Sequence, residues 1–195
     1  MIFQLTEIFK KNKGYLTGKS IRGNRSLYYQ LKSMLEEGTV IQVKRGLYRN
    51  AEMTQGNSWG EVCKSAPHGI ICMFSAWQFY GLSTNISSVV HLATPAGKKT
   101  QLPSFPPVKL YYWGNKFYET GITQTVLNED DIKIYDIEKS VCDSVRYRRK
   151  IGTEITVEIL KNYLSKKDRN LDKLMKYAEK MRIFKVMQQY TELIV

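Results

Sequence analysis

Residues 24–49 hold a helix and a hairpin with almost no spare residue between them, and few folds accommodate that order. Asn24 is a good N-cap, because its side-chain oxygen can accept from the free N–H groups of a first helical turn. Leu27, Leu31, Met34 and Leu35 then recur at helical spacing as one apolar stripe. Gly38 stands where a helix needs a residue that tolerates left-handed backbone. Residues 40–43 read as a strand, Lys44, Arg45 and Gly46 as a tight turn, and residues 47–49 as the returning strand. The polar face of the helix carries Arg25, Ser26, Tyr29 and Lys32, with Arg22 and Asn24 at its N-terminal end. A recognition helix requires this division: the apolar stripe seats it on a support while its N-terminal residues enter the major groove. A hairpin directly after such a helix is a wing, and Lys44, Arg45 and Arg49 would grip the backbone or minor groove of flanking DNA.

The support lies upstream. Ile2, Leu5, Ile8 and Phe9 repeat at helical spacing, and Gly14 stops that helix. Within residues 15–21, Thr17 or Ser20 can cap a brief second helix. Residues 1–52 therefore predict a winged helix-turn-helix. The same pattern also suits a helical module with a hairpin that serves only as a protein-interaction adaptor.

Charge favours the nucleic-acid reading. The chain carries a formal +12, and residues 1–50 hold ten Lys/Arg against three Glu, a net +7. A basic surface attracts polyanions by neutralising phosphates and releasing counterions. A single winged helix reads few bases, so pairing on repeated sites is expected.

Beyond a polar linker at Asn50, Thr54, Gln55, Gly56 and Asn57, Ser58 and Glu61 match a capping box that opens a helix closed by Pro67. Residues 70–74 lead into a helix with Trp77 and Tyr80 that ends at Gly81. Strands are expected at 88–93, 109–113, 122–127 and 132–135, with a proline-rich loop between Thr94 and Pro107. From Ile137 the pattern is helical to the end. The fold class is α+β: the winged helix-turn-helix, then over residues 58–195 a mixed α/β domain with a small, mainly antiparallel sheet and C-terminal helices. The run Arg146, Arg148, Arg149 and Lys150 ends one of these helices, where cations are favoured, but exceeds what a cap needs. It marks a possible second nucleic-acid or partner surface. Tyr111, Tyr112 and Trp113 can stack on bases, although aromatics at strand spacing more commonly fill a core.

Catalytic constellations are weak, and no catalytic residue, cofactor or metal is expected. His68 and His91 have no ligand spacing, and Cys63, Cys72 and Cys142 lack the paired spacing of a zinc site, which suits buried, reduced thiols. Glu129, Asp130, Asp131 and Lys133 contain the acidic-x-lysine half of a nuclease site, which leaves a winged-helix-targeted metal-dependent nuclease as an alternative. Gly-rich phosphate loops and nucleophile elbows do not occur. The N-terminus lacks a signal-peptide pattern, and residues 69–74 fall short of the roughly 20 apolar residues of a membrane span. The expectation is a soluble, cytoplasmic protein without membrane contact.

Several stretches resemble AbiEi-type antitoxins of type IV toxin–antitoxin systems. In the winged helix these are Gly14, Tyr15, Leu16 and Thr17, residues 27–31, Gly38, Val43, and Arg45, Gly46, Leu47, Tyr48 and Arg49. Further on, residues 75–82 are similar to the family's "ALxxYGL" helix, and 91–95 to the strand and turn after it. Residues 137–143 resemble its "xEKTxxD" segment, with Ser140 where Thr is usual, and residues 178–190 extend the likeness. The resemblance implies a repressor that binds double-stranded DNA at its own operator. It also implies an antitoxin that counters a nucleotidyltransferase toxin without requiring a stable complex.

Overall fold

The computed structural model describes residues 3–54, 58–127 and 130–194. Ile2, the linker residues Gln55, Gly56 and Asn57, and Glu129 lie outside the described residues, as does the side chain of Ser58. The chain divides into two compact units, Met1–Pro67 with Gln101–Pro106, and His68–Thr100 with Pro107–Val195.

The first unit runs α1 (Phe3–Lys11), β1 (Tyr15–Thr17), α2 (Arg25–Glu36), β2 (Val40–Lys44), β3 (Leu47–Asn50) and α3 (Ser58–Ser65). Its strands form an antiparallel sheet in the order β1-β3-β2. Leu5 and Phe9 of α1 and Leu27 and Leu31 of α2 pack with Leu16, Ile21 and Val40. Each such side chain contributes about 1.5–3 kcal/mol by leaving water. Gly38, at φ 75°, turns the chain out of α2 into β2 at a conformation that a side chain would strain.

The brief second helix does not form. Tyr15–Thr17 is a strand, and the chain then turns repeatedly through hydrogen bonds from Ser20 N to Thr17 O (3.0 Å), Arg22 N to Lys19 O (3.3 Å) and Asn24 N to Ile21 O (3.1 Å). The stretch between Gly18 and Gly23 is too short for helical hydrogen bonds to offset the cost of nucleation, and Ile21 alone anchors it. The first unit reaches Pro67 and includes α3. Alternation along β1 and β3 places Tyr15 and Leu47 on the sheet face away from α1 and α2, where they cluster with Val43. There α3 meets them, with the Lys64 ammonium 4.2 Å from the centre of the Tyr15 ring.

The second unit adds β4 (Ile70–Ile71), α4 (Met73–Phe79), β5 (Val90–Pro95), β6 (Val108–Trp113), α5 (Asn115–Tyr118), β7 (Ile122–Leu127) and β8 (Asp130–Tyr135). Four helices follow: α6 (Ile137–Ile151), α7 (Thr153–Leu164), α8 (Leu171–Lys180) and α9 (Phe184–Ile194). The sheet order is β6-β5-β4-β8-β7. It is mixed rather than mainly antiparallel: β5–β6 and β4–β8 are parallel, β4–β5 and β7–β8 antiparallel. The reason is β4, a fully buried two-residue strand that lets β8 join the sheet beside it. Among the described residues no helix is long and apolar enough to cross a membrane.

Helix α6 organises this unit. Asp136 caps it, accepting from Lys139 N at 2.8 Å. One turn later the Lys139 ammonium donates to both oxygens of Asp143, at 2.7 and 2.8 Å, and both side chains are fully buried. The same ammonium lies 4.1 Å from the Trp113 ring centre and 4.2 Å from that of Tyr135. Gly121 makes room for it: a Cβ there would come within 2.6 Å of the Lys139 Cβ. Glu138, also buried, meets Lys173 of α8 at 3.0 Å and accepts from the Tyr163 hydroxyl at 3.3 Å. Trp77 of α4 donates from Nε1 to the Ser140 carbonyl at 2.8 Å.

On β5, buried His91 bonds Tyr111 Oη through Nδ1 (2.9 Å) and Ser87 Oγ through Nε2 (3.1 Å). The Ser87 hydroxyl donates to Val89 O at 3.0 Å, so its oxygen accepts from Nε2–H. Nδ1 is then the acceptor, and the Tyr111 hydroxyl donates to it.

Two measurements check this account. Lys139→Met leaves Asp143 buried without its counterion and is expected to lower unfolding free energy by about 3–5 kcal/mol in urea, with much of the loss recovered by adding Asp143→Leu. The second concerns pH. Burial, reinforced by the charge of Lys109, pulls the His91 pKa from 6.5 down to about 4. Between those values the unfolded chain takes up a proton that the folded protein refuses. The stabilisation is complete above the unfolded value and is lost as pH falls through the window, by about 3 kcal/mol in total. Wild type should therefore lose stability more steeply than His91→Gln between pH 7 and pH 4; equal slopes would contradict the assignment.

Candidate nucleic-acid interface

The N-terminus of α2 is built by its cap. Asn24, in extended backbone, accepts from Leu27 N at 3.1 Å through Oδ1, which fixes where the helix starts. Leu27 and Leu31 face the core, and that rotation leaves Arg25, Ser26, Tyr29 and Lys32 exposed, together with Arg22 just before the helix. Arg25 lies 5.8 Å from the centre of the Tyr29 ring, which is 57% exposed. Lys32 pairs with Glu36 at 3.7 Å, but both are well exposed and the pair is screened. Tyr28, 60% exposed, adjoins Tyr29 on the same helix; the sequence reading does not single it out, although its offset from the apolar stripe points to an exposed position.

The wing is short. Lys44 faces Leu47 across a turn of Arg45 and Gly46, and the ladder shifts register between Gln42 and Lys44. Gly18 N donates to Gly46 O at 2.8 Å, tying the hairpin tip to the turns before α2. Between those turns, α2 and β3 lies a cleft of about 430 Å³, bordered by Ile21, Arg22, Arg25, Tyr28 and Tyr48. Arg45 is exposed at the tip.

The other two cations of the hairpin, Lys44 and Arg49, are engaged inside the unit. Arg49 lies on the sheet face that α3 covers, and its Nε meets Glu61 Oε1 at 2.7 Å while Nη1 donates to Thr54 O at 3.3 Å. Glu61, on α3, thus serves as the carboxylate partner of Arg49. The Lys44 ammonium donates to Ser65 O at 2.6 Å, and burial makes it release its proton more readily than an ordinary lysine. In the same unit Lys11, Lys13 and Lys64 line a second concavity of about 450 Å³ around Tyr15. Only the lysines closing α1 hinted at it in the sequence.

The basic run of α6 also divides. Arg146 donates to Met181 O at 3.3 Å and lies 3.8 Å from the Phe117 ring centre. Arg148 donates to Val145 O at 3.0 Å and is partly buried. Arg149 and Lys150 are exposed.

Among the described residues the remaining candidates do not assemble into a metal centre. On β8, Asp130 is buried whereas Asp131 and Lys133 are exposed on the opposite face, as alternation requires, and Glu129 lies outside the described residues. Among the described residues no group of three His, Cys, Asp or Glu is placed to hold a metal. Cys72 and Cys142 are buried and their thiols are pushed to higher pKa by burial, while Cys63 is partly exposed. Of the aromatic strand residues, Trp113 is core, Tyr111 half-buried and Tyr112 58% exposed.

No family model matches the chain, and no curated protein does. The backbone is similar to the crystal structure of the Rv2827c protein from Mycobacterium tuberculosis, with a TM-score of 0.57 at 10% identity, over 90% of this chain and 69% of that one. At that identity the likeness shows the α+β fold alone.

The Arg49–Glu61 pair yields a direct test. Glu61→Ala leaves a largely buried guanidinium unpaired and is expected to cost about 2 kcal/mol of stability, measured by denaturant unfolding. Arg49→Ala combined with it should add much less than its separate effect.

Proposed function

We propose that this protein is a DNA-binding repressor and antitoxin, with the first unit as its winged helix and no catalytic step of its own. The observation that carries the reading is the face formed by Arg22, Arg25, Ser26, Tyr29 and Lys32 beside Arg45. It is exposed, basic and seated on a capped helix whose other side is locked into the core. Such a helix presents its N-terminal residues to base edges, and the wing tip adds a backbone contact. Asn24 contributes mainly as the cap, since its acceptor oxygen is already used. Arg149 and Lys150 of the second unit offer a further contact with polyanion. The antitoxin half of the reading rests on the sequence resemblance to AbiEi-type proteins, which points to the protein's own operator as the DNA and a nucleotidyltransferase toxin as the functional partner.

The test is binding to duplex DNA from upstream of the gene, measured across a salt series with excess nonspecific competitor. Arg25→Ala with Arg45→Ala should weaken binding by at least tenfold and reduce the slope of log K against log salt by about 2. Arg49→Ala should leave that slope unchanged, because its charge is neutralised by Glu61. Binding that ignores the Arg25/Arg45 change would overturn the proposed face. Absence of any binding at low salt would favour a protein-interaction role.

A further inference from the structure

A pocket of about 600 Å³ opens in the second unit between edge strand β6, the start of α4 and the end of α6. That volume lies within the roughly 300–1,000 Å³ of small-molecule sites. Its walls include the rings of Phe74, Tyr111 and Tyr147, and its charges are Lys109 and Lys150. The geometry points to a nucleotide-binding site, one that takes a nucleobase between aromatic walls and its phosphate at the two ammonium groups. This inference does not rest on the winged-helix reading: Lys150, named above as a further polyanion contact, is the one residue the two have in common, and the aromatic walls and Lys109 belong to the pocket alone.

The walls are set before any ligand arrives. Tyr111 donates its hydroxyl proton to His91 Nδ1, and His91 is held in turn by Ser87. The ring of Tyr111 stacks on the imidazole at 5.7 Å with 24° between planes. Tyr147 accepts from Trp113 Nε1 at 2.8 Å and meets Tyr111 edge-on, with centroids 6.0 Å apart. Phe74 packs on Trp77 and His91. Ordered rings of this kind lose little entropy when a base stacks on them. Burial keeps the Tyr111 phenol protonated far above neutral pH and His91 neutral, so neither adds charge to the wall.

Recognition groups are present as well. β6 lies at the end of the sheet, and among the described residues no strand lies beyond it, so its outer side offers main-chain N–H and C=O groups to the edge of a base. Lys109 and Lys150 are exposed, and among the described residues neither meets a carboxylate in an ion pair. A phosphate would supply that counterion. Met73, which also lines the pocket, is buried and held at φ +50°, a left-handed conformation rarely taken by a residue with a side chain.

The test is calorimetric titration of the full chain with adenosine 5′-monophosphate and uridine 5′-monophosphate. Adenosine and inorganic phosphate serve as partial ligands, and a decauridylate strand as the polymeric form. Both nucleotides should bind, and each partial ligand should bind at least tenfold more weakly. Lys109→Gln with Lys150→Gln, both surface changes, should cost at least tenfold. Tyr111→Leu should do the same, while Tyr111→Phe, which keeps the ring, should stay near wild type; thermal unfolding of each variant checks that it folds. A strand that binds over tenfold tighter than the mononucleotide, and loses that binding in the double lysine variant, identifies an unpaired strand as the source. Equal affinities identify a free nucleotide. No binding at millimolar nucleotide, inorganic phosphate binding as tightly as nucleotide, or indifference to both the lysine and the Tyr111→Leu changes would overturn the assignment.

Discussion

Taking an ammonium and a carboxylate out of water costs several kcal/mol for each ion, and the second unit does this at its centre with Lys139 and Asp143. The cost is met only if the geometry is closely specified, and the surroundings supply it. The helix sets the two residues one turn apart, Trp113 and Tyr135 present ring faces to the ammonium, and Gly121 omits the side chain that would displace its stem. Each of these partners comes from a different element: β6, β8 and the turn before β7. One ion pair therefore fixes α6 against both ends of the sheet, and a hydrophobic pair of equal volume would tolerate sliding where this one does not.

Around it the charged residues of α6 are distributed by depth. Asp136 and Glu138 gather Lys173 from α8, which docks that helix by charge as well as by Leu174 and Ala178. At the far end Arg148 is partly buried and donates to a carbonyl, Arg146 donates to another while staying exposed, and Arg149 and Lys150 reach solvent. The first unit sorts its cations in the same way. With α3 against the back of the sheet, Arg49 and Lys44 become structural, and of the three cations on the β2–β3 hairpin only Arg45 stays outside. In both units a basic run in the chain thus overstates the charge available at the surface.

Local pattern made much of this legible. The cap at Asn24, the stripe of α2, the glycine at 38 and the hairpin all act through neighbours in sequence, and they stand where periodicity puts them. The strands β5 to β8 and the helices α6 to α9 are likewise visible, because each is long enough to show a period. What was hidden depends on distant residues. β4 has two residues and no period; its parallel pairing with β8 joins segments some sixty residues apart. Nothing near Glu61 says that it will meet Arg49, twelve residues before it. Lys139 and Asp143 stand i,i+4, and such a charged pair ordinarily reads as a solvated face; only the full surround shows it to be core. The pocket on β6 escaped for the same reason: Tyr111 and Lys150 are forty residues apart, and His91 orders the wall from behind.

The division of labour in α2 has an evolutionary consequence. Asn24, Leu27 and Leu31 hold the helix, and Arg25, Ser26, Tyr29 and Lys32 carry no part of the core. Substitutions at the latter positions meet almost no folding constraint, so they can drift to whatever surface a partner selects. Descendants of this chain could exchange one recognition preference for another by a few changes on that face while the scaffold beneath remained the same.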